Sequence, residues 1–221
     1  KRCYMSFTVD MNANVTRIRD DWGEYLENIL KSGHGSVLEH ASFTFAFEGV
    51  SRVFTGEMNR HRAGTAISEG SQRFIRFDED VPYWLPPSLR DADGDDAELL
   101  EKKKRSRYLF QQAFEHQQSI YAQLVHTWEM DEGDKNFEYK KKVTSCLRRI
   151  IGMGCATGGV WTLNVRALRH VMTMRCSSAA EEEICHVFHR VGLMMMNRLG
   201  LLFGDFTETD DGFLIPKHRK V

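Results

Sequence analysis

Strict two-residue alternation is rare in this chain, and where it occurs it limits the fold sharply. Phe43, Phe45 and Phe47 alternate with Thr44, Ala46 and Glu48, which puts three phenyl rings on one face of a strand and leaves the other face wet. What can cover that face is helical. Apolar residues recur at steps of three, four and seven through Val15, Ile18, Trp22, Tyr25, Leu26, Ile29 and Leu30, one stripe of an amphipathic helix that Ser32-Gly33 should close. The longest helical pattern, about 97–130, aligns Phe110, Phe114, Tyr121, Leu124, Val125 and Trp128. Further helices are expected at 51–60, with Val53, Phe54 and Met58 inward, at 135–151, and at 178–199 with Ile184, Phe188, Val191 and Met195 inward. A second strand is expected at 71–77. A short third one, 160–164, follows the Gly-rich stretch 152–159 and leads into a helix ending at Arg175. Strands scattered among helices of unequal length lack the rhythm of a doubly wound sheet. The expected fold is α+β, a mixed sheet with long flanking helices, in a single domain over 1–221.

A chain of 221 residues, 42% of them hydrophobic, can bury a core without staples. Thirty basic residues oppose thirty-one acidic ones, which argues against coating nucleic acid or an anionic membrane by bulk charge. No apolar run approaches the roughly 20 residues that span a bilayer. The basic runs 102–107 and 140–142 read as solvated helix faces. Cys3, Cys146, Cys155, Cys176 and Cys185 are odd in number and form no C-x-x-C, so reduced thiols in a cytoplasmic setting are expected. The opening Lys1-Arg2-Cys3-Tyr4 has no initiator Met or apolar leader, and the chain is expected to continue before Lys1. The acidic run 91–96 begins like a calcium loop, but its twelfth position is Lys102, where a bidentate Glu is required. It reads as a turn before a helix.

Three polar clusters remain. In the first, Arg60-His61-Arg62 runs through a Gly/Ser loop to Glu69, Gly70, Ser71, Gln72 and Arg73. Guanidinium groups and loop N–H groups suit an anionic nucleotide, although a surface loop of unpaired charges has the same composition. The second is Gly33-His34-Gly35-Ser36-Val37-Leu38-Glu39-His40, and the third runs from Trp161 to His170 and on to Arg175. Neither His34 with His40 nor His186 with His189 has the spacing of a zinc site, so no metal is expected. Of Arg166, Arg169, His170 and Arg175, some must be plain helix-surface charges. Arg148 and Arg149 lie close enough upstream to join the same basic pocket.

Together and in this order, the three clusters resemble the flavin-dependent thymidylate synthases. That family's R-H-R, seven residues, Ser signature is matched by Arg60-His61-Arg62 and Ser71, with eight residues between. Its G-H-x-[ST]-x-x-E-H element matches Gly33 to His40, and its W-T-x-N-x-R-x-L element matches Trp161 to Leu168, with Arg175 nine residues beyond Arg166. The resemblance implies a homotetramer that methylates C5 of dUMP to give dTMP, with FAD, with methylenetetrahydrofolate as carbon donor and NADPH as electron donor. It implies flavin contacts at Ser36, Arg60, His61, Arg62, Glu69, Asn164, Arg166 and His170. Nucleotide contacts are implied at Glu57, Arg60, Glu69, Gly70, Ser71, Gln72, Arg73, Arg148 and Arg175. Arg175 would face the uracil ring, and His34 would lie near flavin and folate. Glu57 stands where the family usually has Gln, which opens the alternative of UMP, whose ribose hydroxyl could donate to it. A non-catalytic flavin- or nucleotide-binding module is the rival from another class.

Overall fold

The computed structural model describes residues 21–219 and Val221. Val15 and Ile18, the start of the expected first helix, and Cys3 lie outside that range. The helix that is described, α1 (Trp22–Lys31), is capped by Asp21, whose carboxylate accepts from the Gly23 N–H, and it buries Ile29 and Leu30. A 3-10 helix, Gly35–His40, follows and leads into strand β1 (Ser42–Ser51). The register of β1 shifts between Glu48 and Val50. That bulge ends the alternation and lets Val50 and Ser51 both turn inward. Ser51 then caps helix α2 (Arg52–Met58), its hydroxyl accepting from the Val53 and Phe54 N–H groups. Phe54 and Met58 are fully buried, as the spacing required, while Val53 is half-buried.

The second strand is β2 (Thr65–Glu69), not 71–77. In 71–77 the Ser71 carbonyl accepts from the Phe74 and Ile75 N–H groups, which makes a turn. The true strand has little apolar alternation because it is an edge, with Ile67 its one large apolar side chain and that one exposed. Both strands pair with the central β3 (Ala156–Asn164). Both pairings are antiparallel, so among the described residues the sheet is not the mixed one expected. Strand β3 begins earlier than expected because its glycines belong to it. A Cβ on Gly159 would sit 2.5 Å from the Ser68 carbonyl oxygen, so the close approach of β2 depends on the bare backbone there.

Helix α3 (Ala97–Thr127) buries Phe114, Tyr121 and Val125, but Phe110 and Trp128 are exposed. The run 102–107 is not uniformly solvated either. Lys103 is buried against Asp95 at 2.6 Å, and Arg107 meets Asp91 at 2.7 Å. The acidic turn 91–96 therefore neutralises the helix that follows it. Helix α4 (Phe137–Leu147) is shorter than 135–151. Helix α5 (Val165–Arg175) follows β3 directly, capped by the Asn164 side chain, which accepts from the Ala167 N–H at 2.8 Å. Helix α6 (Glu182–Arg198) buries the expected Ile184, Phe188, Val191 and Met195. A short α7 (Gly200–Phe203) and the hairpin β4 (Phe206–Glu208) and β5 (Leu214–Pro216) complete the described chain.

Two apolar clusters hold these elements. Trp161 and Leu163 of β3 pack with Phe47, Phe54, Leu168, Met172, Ile184 and Phe188. Phe77, Phe114, Tyr121, Val143 and Leu147 form the second. Trp161, Phe54 and Phe188 have no exposed surface, and burying a side chain of that kind contributes about 1.5–3 kcal/mol. Helix α2, which leads into the first polar cluster, and α5, which carries much of the third, are thereby anchored to the sheet.

Candidate active site

The end of α5 meets the end of α2. Arg175 donates from Nε to His61 Nε2 at 2.7 Å, and its Nη1 lies 2.7 Å from Glu57 Oε2. Its Nη2 also reaches the Glu57 carbonyl at 3.4 Å. A guanidinium can only donate, so His61 Nε2 must be the unprotonated acceptor and the ring proton sits on Nδ1. Burial, reinforced by the charges of Arg175 and His170 and opposed by Glu57, pushes the His61 pKa down to about 4. Geometry and electrostatics agree on a neutral imidazole. The His170 ring stands edge-on to it, with 6.0 Å between centroids.

Two adjoining grooves open beside this cluster. One, of about 360 Å³, is lined by Arg60, His61, Arg62, Ala63, Ala167, His170 and Val171. The other, of about 440 Å³, shares Ala63, Ala167 and His170 and adds Glu39, Gly64, Asn164, Arg166 and Val221. The second groove needs a glycine. Gly64 has φ +70°, and a Cβ there would run into the Asn164 side chain. Arg166 pairs with Glu39 at 2.6 Å. Among the described residues no carboxylate pairs with Arg60 or Arg62, and both are exposed. A long, two-lobed groove with unpaired guanidiniums and hydrogen-bonding side chains fits a dinucleotide such as FAD, whose phosphates would take Arg60 and Arg62.

His61, Asn164, Arg166, His170 and Arg175 are thus brought together with Arg60 and Arg62. Arg169 is the helix charge that turns inward instead. It is buried and bonds both carboxylate oxygens of Asp205, at 2.6 and 2.8 Å. Ser36 is exposed on the 3-10 helix, one residue from the buried Gly35, and His34 is exposed at that helix's start. Glu69 is held by Arg52, and it also accepts from Asn59 Nδ2 at 3.1 Å. Arg52 in turn donates to the Gly70 carbonyl at 2.5 Å. Sequence reasoning missed Arg52, because a partner seventeen residues away leaves no local signal. Gln72 is half-buried, and Ser71 Oγ accepts from the Arg73 N–H at 3.4 Å. Arg73 itself lies in a different groove with Arg149. Arg148 is half-buried in the short 3-10 turn after α4 and does not line that groove. Cys146, Cys155, Cys176 and Cys185 are free, and burial pushes Cys155 up to about 11 and Cys176 to about 12, so neither offers a thiolate. Among the described residues no cluster of three metal-ligating side chains occurs, and no helix is long and apolar enough to cross a membrane.

A sequence model of the family described as Thymidylate synthase complementing protein matches residues 1–198. The chain belongs to the flavin-dependent thymidylate synthase family. Among its relatives, the flavin-dependent thymidylate synthase of Clostridium tetani is 32% identical over 187 residues, covering 83% of this chain and 70% of that protein. That of Mycobacteroides abscessus is 32% identical over 212 residues, covering 93% and 76%. The fold is also that of solved structures. The flavin-dependent thymidylate synthase ThyX from Helicobacter pylori, complexed with FAD and dUMP, superposes with a TM-score of 0.58 at 19% identity, covering 87% of each chain. A UMP/dUMP methylase, PolB from Streptomyces cacaoi, bound with 5-Br dUMP, gives 0.64 at 17% identity over 82% and 78%.

Proposed function

We propose that this chain is a flavoenzyme that reductively methylates C5 of dUMP to give dTMP. In this reading FAD lies along the two grooves that share His170, and methylenetetrahydrofolate and NADPH supply carbon and electrons. Residues 1–221 act as one catalytic unit of a cytoplasmic homotetramer. The observation that carries the reading is the junction of α2 and α5, where Arg175 and Glu57 meet His61, itself part of the groove wall. Bound flavin supplies hydride chemistry; the protein's part is to orient and to stabilise charge. Arg175, fixed at three points, presents a permanent cation to the edge of a uracil ring, where negative charge develops as C5 is activated. His61 offers Nδ1–H as a neutral donor toward the groove. Arg73, with Gly70, Ser71 and Gln72, holds nucleotide phosphate and sugar; Arg148 supplies a further cation, and Ser36, His34 and Arg166 border the flavin and folate. Glu69, clamped by Arg52, shapes the loop as much as it touches ligand.

The relatives' shared activity supports this assignment, and the solved neighbours named for FAD and dUMP support the choice of ligands. Glu57 bears on the alternative substrate. Its Oε2 is engaged by Arg175, which leaves Oε1 for a hydroxyl donor. UMP is therefore the comparison to run beside dUMP. The test is tritium release from C5-labelled dUMP and UMP by FAD-loaded enzyme with the folate donor and NADPH. Release from dUMP, and its loss in Arg175→Ala with flavin retained, is the expected result. No release from either nucleotide would leave a binding module in place of an enzyme.

A further inference from the structure

A groove of about 690 Å³ lies between the turn that carries Arg73 and the outer face of α4. Arg73, Lys141, Lys142 and Arg149 line it against one carboxylate, Glu138, an excess of three positive charges. Several buried or half-buried cations of this chain face acids, Arg52 with Glu69, Arg76 with Asp78 and Asp131, Lys103 with Asp95 and Arg169 with Asp205, whereas Arg73, Lys142 and Arg149 are exposed at the groove. Here Glu138 lies 3.7 Å from Lys141, and among the described residues Arg73, Lys142 and Arg149 have no carboxylate partner. The cations are also partly fixed before any ligand arrives. The Lys141 ammonium sits 5.7 and 5.9 Å from the centroids of Phe74 and Phe137, which stack on each other. Arg149 is tied at 2.8 Å to the Ser145 carbonyl.

A single phosphate monoester brings about −1.5 to −2 at neutral pH, which leaves part of that excess unmatched. Each further phosphoryl group adds negative charge in line with the first. We propose that the groove is a polyphosphate site, which takes the outer phosphates of a pyrimidine nucleoside di- or triphosphate whose first phosphate lies at Arg73. This rests on the reading of Arg73 as a ligand of the nucleotide phosphate. Its consequence is regulatory: a more highly phosphorylated form of the methylated product binds in place of the monophosphate substrate and inhibits the enzyme. The groove then reports how much product has already been carried forward by phosphoryl transfer.

Cys146 lines the groove and is exposed, so the unaltered protein carries its own probe. The experiment follows alkylation of Cys146 in FAD-loaded enzyme by peptide mass spectrometry, with orthophosphate, tripolyphosphate, dUMP or dTTP present. Tripolyphosphate and dTTP should slow Cys146 labelling by about fivefold or more at concentrations where orthophosphate does not, since several charged contacts act together. Labelling of Cys185, outside the groove, should not change. In turnover assays dTTP should compete with dUMP, and Lys142→Ala with Arg149→Ala should weaken that inhibition by about tenfold or more, with the flavin spectrum as the check on folding. The proposal is overturned if dUMP is turned over normally while tripolyphosphate leaves Cys146 labelling unchanged, or if the double variant keeps full sensitivity to dTTP. If instead tripolyphosphate protects Cys146 and dUMP is not a substrate, the groove stands and the proposed reaction fails.

Discussion

At the scale of single residues, His61 links stability to pH. Its folded pKa lies near 4, below the ordinary 6.5. Between those values the unfolded chain takes up a proton that the folded chain refuses. Its contribution is therefore fully present above about pH 6.5 and is lost as pH falls toward 4. Urea denaturation of His61→Gln, whose amide oxygen can still accept from Arg175, should show a shallower decline across that window than the parent. Parallel curves would mean His61 is not held neutral. Gly64 allows a second test. Its φ of +70° and its contact with Asn164 predict that Gly64→Ala loses about 1–2 kcal/mol from the backbone alone, with weaker FAD binding besides. Unchanged flavin affinity would remove Gly64 from the groove lining. The Arg60-His61-Arg62 cluster was legible as a charged loop. That Arg175 completes it was not legible from spacing, since Arg175 and His61 are 114 residues apart and only the resemblance joined them.

Among elements, the helices were readable wherever one stripe faces one core. Helix α6 placed Ile184, Phe188, Val191 and Met195 inward as its spacing required. The edge strand β2 was not readable, because an edge with one exposed apolar residue has no period to detect. Its position depends on Gly159 across the sheet, as the approach of β1 does on Gly158, and a glycine pair looks like a loop in sequence. The start of α2 depends on a partner equally far away. Glu183, buried on α6, accepts from the Ser51 N–H at 2.6 Å and from its hydroxyl. Burial raises its pKa against those two bonds. Glu183→Ala leaves a buried N–H without a partner and should cost about 1–3 kcal/mol in denaturant unfolding. Glu183→Gln, which keeps an acceptor, should cost less. Equal losses would show that the bonds to Ser51 do not hold the helix that carries Glu57.

Over the whole molecule, α5 serves as the strut between the site and the C-terminal hairpin. One side presents Arg166 and His170 to the grooves and Arg175 to His61 beside them, and the other sends Arg169 to Asp205 and to the Leu202 carbonyl. Arg169→Ala would strand the buried Asp205 carboxylate, and a loss of about 3–5 kcal/mol is expected in thermal or chemical unfolding. A change under about 1 kcal/mol would place the pair among surface ion pairs. The most direct measurement is a crystal structure of the enzyme with FAD and dUMP bound. The account predicts the flavin along the groove between Arg62 and Asn164, and the uracil ring against Arg175. A flavin bound elsewhere, or a uracil ring out of reach of Arg175, would contradict it.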